Sequence, residues 1–172
     1  MSVLVAGIGN IFLGDDAFGV EVAQRLARHG LPHGVRVVDF GIRGFDLAHA
    51  LLEEQDASVV LVDATPRGGE PGTLYVIEPS LEETTAASID AHAMDPLRVL
   101  RLACSMGARP KRVLLVGCEP QALEPDELAA GLMGLSRPVA AAIDSAVELV
   151  KTLVEKEAND AGSGQDGENA LQ

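Results

Sequence analysis

The 172-residue chain has a formal net charge of −13, is 47% hydrophobic and only 3% aromatic, and contains no tryptophan. Such an acidic sequence offers no basic face for nucleic-acid phosphates, and no apolar run reaches the ~20 residues of a membrane-spanning helix. Its length suits one domain that buries a core without disulfide or metal staples.

With few aromatics, the core must be built from Val, Leu, Ile and Ala, a palette suited to an α/β protein with buried strands. Cys104 and Cys118 lack a C-x-x-C spacing and sit in apolar patterns. They read as reduced thiols, and the absence of a basic leader before the first apolar run agrees with a cytoplasmic protein. Nothing in the pattern demands more than a monomer.

The first strand begins at Val3–Ala6 and runs into the loop Gly7-Ile8-Gly9-Asn10-Ile11-Phe12-Leu13-Gly14, followed by Asp15-Asp16. Phe18, Val22 and Leu26 then recur at helical spacing, with Gly30 as the expected C-terminal cap. Val35–Phe40 reads as a second strand. Gly41 and Gly44 open a turn, and Leu47, Ala48, Leu51 and Leu52 mark a second helix. Ser58–Val62 is a continuous apolar strand ending in Asp63. This strand–helix alternation predicts parallel strands joined by right-handed crossovers.

The link from Pro66 to Gly72 is too short for a crossover helix, so the strand Gly72–Glu78 is expected to run antiparallel at an edge. Asp95-Pro96 caps and opens a third helix that stops at Gly107. Arg112–Gly117 is a fifth strand. Ser136–Pro138 opens the last long helix, with Val139, Ile143, Val147, Val150 and Val154 on one face. The expectation is a three-layer α/β/α sandwich around a five-stranded, mostly parallel sheet. It occupies residues 1–158 as one domain, with 159–172 a polar, acidic and disordered tail.

A glycine loop after a first strand suggests a nucleotide phosphate, but the spacing is wrong. A dinucleotide fingerprint places its third glycine where Phe12 stands. Two carboxylates beside a pyrophosphate would also repel it.

Ligands of parallel α/β sheets bind at the carboxyl ends of the strands. Asp16, Asp39, Asp63 and Glu119 fall at such ends, and His92 precedes the third helix. Asp16, Asp63 and His92 together make a candidate three-ligand site for a divalent metal. Simpler roles exist for each. One of Asp15 and Asp16 can cap the following helix, Asp39 beside Gly41 can serve a turn, and Glu119 can solvate a loop. His29, His33, His49 and even His92 can be ordinary loop histidines. Asp63 is hardest to dismiss, because a carboxylate against a buried strand needs a partner or its pKa rises.

Taken in order, these pieces resemble the hydrogenase maturation proteases over nearly the whole chain except the tail. The resemblance rests on Gly7-Ile8-Gly9-Asn10, Gly14-Asp15-Asp16 with Gly19, Asp39-Phe40-Gly41 with Gly44, Val62-Asp63-Ala64, Pro71-Gly72-Thr73, Asp90-Ala91-His92, and Val116-Gly117 with Pro120. It departs from the common pattern at Ala17 and at the alanines flanking His92.

The resemblance implies an α/β/α endopeptidase that removes the C-terminal extension of a nickel–iron hydrogenase large-subunit precursor. It implies metal contact by Asp16, Asp63 and His92, catalysis by Asp16 or Asp63, and support from Asp39 and Gly41. The metal would be nickel already held by the substrate. No H-E-x-x-H helix or G-x-S-x-G elbow supports another hydrolase class. The main alternative is a non-catalytic checkpoint that binds the nickel-loaded subunit without cutting it.

Overall fold

The computed structural model describes residues 2–80, 95–122 and 131–162. Among these residues five strands are present, β1 (Val3–Ile8), β2 (Val35–Gly41), β3 (Ser58–Ala64), β4 (Leu74–Ile77) and β5 (Arg112–Cys118). Among the described residues four α-helices accompany them, α1 (Phe18–Leu26), α2 (Gly44–Glu53), α3 (Pro96–Ser105) and α4 (Arg137–Gly162). The sheet order is β2-β1-β3-β5-β4. Strands β2, β1, β3 and β5 are mutually parallel, and β4 is the antiparallel edge, paired with β5 from Leu74↔Cys118 to Ile77↔Leu115. The expected sandwich and the expected antiparallel strand are both present.

The period-two alternation of the central strands builds two cores. Val3 and Val5, Val60 and Val62, and Val116 and Cys118 face α1 and α4. Leu4, Ala6 and Ile8, Val59 and Leu61, and Val113 and Leu115 face α2 and α3. Because β1 and β3 are covered on both sides, they read in the sequence as unbroken apolar runs. The predicted stripe on α4 is fully used, with Val139, Ile143, Val147, Val150 and Val154 all buried. Asp95 caps α3 as expected, its Oδ1 accepting the Leu97 N–H at 2.9 Å.

Two boundaries differ from expectation. Helix α1 ends at Leu26 rather than running to a Gly30 cap, because Arg28 and His29 donate to the carbonyls of Arg25 and Leu26 in tight three-residue turns. Helix α4 continues to Gly162, into the segment expected to be tail. Its last turns are docked to the amino edge of the sheet. Buried Glu157 accepts from Ser58 Oγ and from Arg112, each at 2.7 Å. Residues 163–172 lie outside the described residues.

Tight backbone packing sets the start of α1. A Cβ at Gly19 would overlap the carbonyl oxygens of Val62 and Ile8, and one at Gly9 (φ +141°) would overlap the carbonyl of Asp16. Only glycine lets the helix sit this low on β1 and β3. The chain between them, a 3-10 turn over Gly14–Ala17, is thereby held at the carboxyl edge with Asp15 and Asp16.

Candidate active site

The loop after β1 has its backbone donors committed to the protein itself. Gly9 N–H bonds to Gly41 O, Leu13 N–H to Asn10 O and Gly14 N–H to Leu132 O, at 3.0, 3.1 and 2.6 Å. Asn10 N–H donates to Asp16 Oδ2 at 2.8 Å, and Phe12 N–H to Asn10 Oδ1 at 2.9 Å. A phosphate cradle needs such groups turned outward. Here they are occupied, and what the loop presents is a carboxylate.

Asp16 and Asp63 line one cleft of about 520 Å³ at the carboxyl ends of β1, β3 and β5. Leu13, Thr65, Pro66, Pro96, Leu97, Leu115 and Gln121 form most of its walls, so the two acids face largely apolar surroundings. Asp63 is 8% exposed at the end of β3. Its alternation with Val59 and Leu61 places it on the α3 side of the sheet. Burial pushes its carboxyl well above the usual range, and the charge of Asp16 pushes it further. The Ala64 N–H partly offsets both, and the charge of Asp95 adds to the rise. Burial raises Asp16 as well, against the lowering effect of the Asn10 N–H. Among the described residues neither carboxylate has compensating positive charge, and both are held above their ordinary pKa.

Asp15 does not cap the helix that follows it. Neither the 3-10 turn nor α1 has a side-chain cap. Asp15 is 3% exposed and reaches across the fold instead. Its Oδ1 accepts from Ser136 N–H at 2.6 Å, and its Oδ2 accepts from Ser136 Oγ and from Gln121 N–H, each at 2.8 Å. It thus joins the Asp16 loop to the start of α4 and to the cleft wall after β5.

Glu119 does more than solvate a loop. It is 5% exposed. Its Oε2 accepts from Arg67 N–H and Tyr75 Oη, each at 2.8 Å, and its Oε1 accepts from Gly68 N–H at 3.1 Å. Burial alone would raise its carboxyl, but the Tyr75 hydroxyl and the N–H groups of Arg67, Gly68 and Gly69 hold it below the ordinary range. Glu119 fixes the β3–β4 connection, whose Thr65 and Pro66 line the cleft.

Asp39 and Gly41 are not brought to this cleft. They line a separate groove with Ile11, Phe12 and Ile42. Asp39 Oδ2 accepts from Gln24 at 3.1 Å, and its backbone carbonyl accepts from the Arg43 guanidinium. His92 lies outside the described residues. Among those residues, no group of three or more His, Cys, Asp or Glu is arranged to hold a metal. Asp95, read from sequence only as a helix cap, lines the cleft and faces Asp63 electrostatically. The signal available for it was its position, at the helix start nearest the strand ends.

Neither cysteine lines the cleft. Burial pushes the Cys118 thiol up to about 11, aided by the charges of Asp15 and Glu119, so it is no thiolate nucleophile. Among the described residues, no helix is long and apolar enough to cross a membrane.

Comparison with known proteins identifies the family and the fold. The family model described as hydrogenase maturation protease matches residues 20–153. The hydrogenase 2 maturation protease of Escherichia coli is 33% identical over 155 residues, covering 87% of this chain and 88% of that protein. Among solved structures, the hydrogenase maturating endopeptidase HybD of E. coli superposes with a TM-score of 0.73 at 29% identity, over 91% of this chain and 93% of that one. The maturation protease HycI of Thermococcus kodakarensis does so with a TM-score of 0.69 at 26% identity, over 90% and 92%. On the strength of a family model that spans most of the chain and a fold shared along nearly its full length, this protein belongs to the hydrogenase maturation proteases.

Proposed function

We propose that the protein is the endopeptidase that removes the C-terminal extension from a nickel–iron hydrogenase large-subunit precursor after nickel insertion, acting as a monomer in the cytoplasm. The observation that carries this reading is the Asp16–Asp63 pair, two under-compensated carboxylates on the wall of one apolar cleft. As two bare anions they repel each other, and a divalent ion delivered by the substrate relieves that repulsion. Carboxylate oxygens suit such an ion. Asp16 and Asp63 supply two ligands, and His92 is the proposed third.

In this scheme nickel is part of the substrate. Its chemical contribution is to polarise the scissile carbonyl as a Lewis acid. The protein's own residues do the rest. Asp16, anchored by Asn10, and Asp63, fixed at the end of β3, orient the incoming segment. A carboxylate oxygen of Asp16 or Asp63 that the ion does not engage accepts the proton of the attacking water. The apolar walls exclude bulk water, which strengthens each electrostatic contact. A precursor without nickel brings no cation to relieve the repulsion between Asp16 and Asp63, and the site does not assemble.

Intact-mass measurement of the precursor after incubation tests the proposal. Nickel-loaded precursor is expected to lose its C-terminal peptide, and nickel-free precursor to remain whole. Persistent binding of nickel-loaded precursor without any loss of mass would instead establish the checkpoint reading. Equal cutting of both forms would contradict the nickel signal.

A further inference from the structure

Nine large apolar side chains stand exposed among the described residues, and six of them crowd the same end of the sheet. Ile11 and Phe12 belong to the loop after β1. Ile42 and Phe45, 62% and 88% exposed, belong to the connection after β2 and the first turn of α2. Leu132 and Met133 precede α4. Exposed apolar residues scattered singly need no explanation, but a concentration on one face marks a contact surface.

Three of the six share a groove, Leu132 is tied to them through the backbone, and Phe45 and Met133 flank these residues in the chain. Ile11, Phe12 and Ile42 line a depression of about 370 Å³, with buried Val20 and Phe40 behind them. The Leu132 N–H donates to Phe12 O at 3.0 Å, and Leu13 bridges Leu132 in parallel. The same short loop thus carries Phe12 on this face and Leu13, Asp15 and Asp16 on the cleft. The groove and the cleft are therefore lined by neighbouring residues of one loop, from Gly9 to Asp16.

We propose that this face docks the folded body of the protein substrate, through an apolar surface lying beside its cleavable extension. The inference rests on the proposed function and extends it from the scissile segment to the substrate's globular part. A cleft of about 520 Å³ admits only a short stretch of chain. A stable, specific complex buries roughly 800 Å² on each partner, so selection of one precursor requires surface outside the cleft. A second copy of this chain is the weaker occupant, because two molecules of charge −13 repel on approach.

Ile42→Asp and Phe45→Asp test the docking face, singly and together, with Val76→Asp and Met106→Asp as controls on exposed apolar residues elsewhere. Binding to immobilised nickel-loaded precursor is read by interferometry, and folding by thermal melting. The double variant is expected to bind roughly tenfold more weakly or worse, with a melting temperature within about 2 °C of wild type. The controls are expected to bind as wild type does. Unchanged binding by the double variant overturns the docking face while leaving the protease reading intact. Equal weakening by the controls also overturns it, because charge rather than contact would then be the cause. Failure of the wild-type protein to bind or cut any precursor refutes the function itself. Light scattering that shows a wild-type dimer converted to monomer by the double variant assigns the face to a second copy and overturns the proposal.

Discussion

Asp15 Oδ1 accepts a 2.6 Å hydrogen bond from the backbone N–H of Ser136, a residue 121 positions further along the chain. The adjacent Asp16 faces the cleft. Two neighbouring acids therefore point different ways, one holding the frame and one lining the cleft.

Asp15→Ala removes three accepted hydrogen bonds at once, leaving Gln121 N–H and both donors of Ser136 without that partner. Unpaired donors in a partly buried place are costly. The expected loss is on the order of 2–4 kcal/mol in urea unfolding. Asp15→Asn, which keeps one acceptor oxygen, should fall between wild type and alanine. A loss below about 1 kcal/mol for the alanine variant would show that the strut is dispensable.

Glu119→Ala should loosen the cleft wall rather than the core. The N–H groups of Arg67 and Gly68 lose their acceptor and Tyr75 loses its partner. Hydrogen exchange at Arg67 and Gly68 is expected to rise by at least roughly tenfold, with exchange in β1 and β3 unchanged. Protection at 67–68 equal to wild type would exclude Glu119 as the anchor of that connection.

The central strands and both apolar cores follow from patterns that a single sequence displays, because β1, β3 and β5 are covered on both faces and helix stripes repeat at fixed spacing. Asp16 and Asp63 were also legible. Strand ends in a parallel sheet converge, so an acid that closes a buried strand has few places to go. The roles of Asp15 and Glu119 were not legible, since their partners stand 106 and 121, and 44 to 52, positions away. No local pattern encodes such pairings. Asp39 resembled the other strand-end acids in sequence, yet β2 is the outer strand on its side. Its alternation with Val35 and Val37 also puts Asp39 on the α1 face, toward Gln24, and so in a different groove. Gly30 misled for a simpler reason, because α1 had already unwound before reaching it.

Asp63→Asn should make the protein more stable at neutral and alkaline pH. The native fold raises the Asp63 carboxyl well above its ordinary value through burial and the charge of Asp16. Its ionisation therefore opposes folding: stability is fully present below the ordinary carboxylate pKa and declines as pH rises through the elevated native value. The asparagine variant escapes that decline. At pH 8 a gain on the order of 1 kcal/mol corresponds to roughly 2–4 °C in Tm for a chain of this size. At pH 4 the two proteins should melt nearly together. An advantage that is independent of pH, or a lower Tm at pH 8, would contradict strain from ionised Asp63.

The most direct measurement is the intact mass of nickel-loaded precursor after incubation with wild-type protein and with the Asp16→Asn, Asp63→Asn double variant. Wild type is predicted to shorten the precursor by one C-terminal peptide. The double variant, shown to be folded by its melting curve, is predicted to leave it at full mass, with any residual rate at least roughly a hundredfold lower. Removal of the same peptide by the double variant at the wild-type rate would contradict the assignment of this carboxylate pair as the active site.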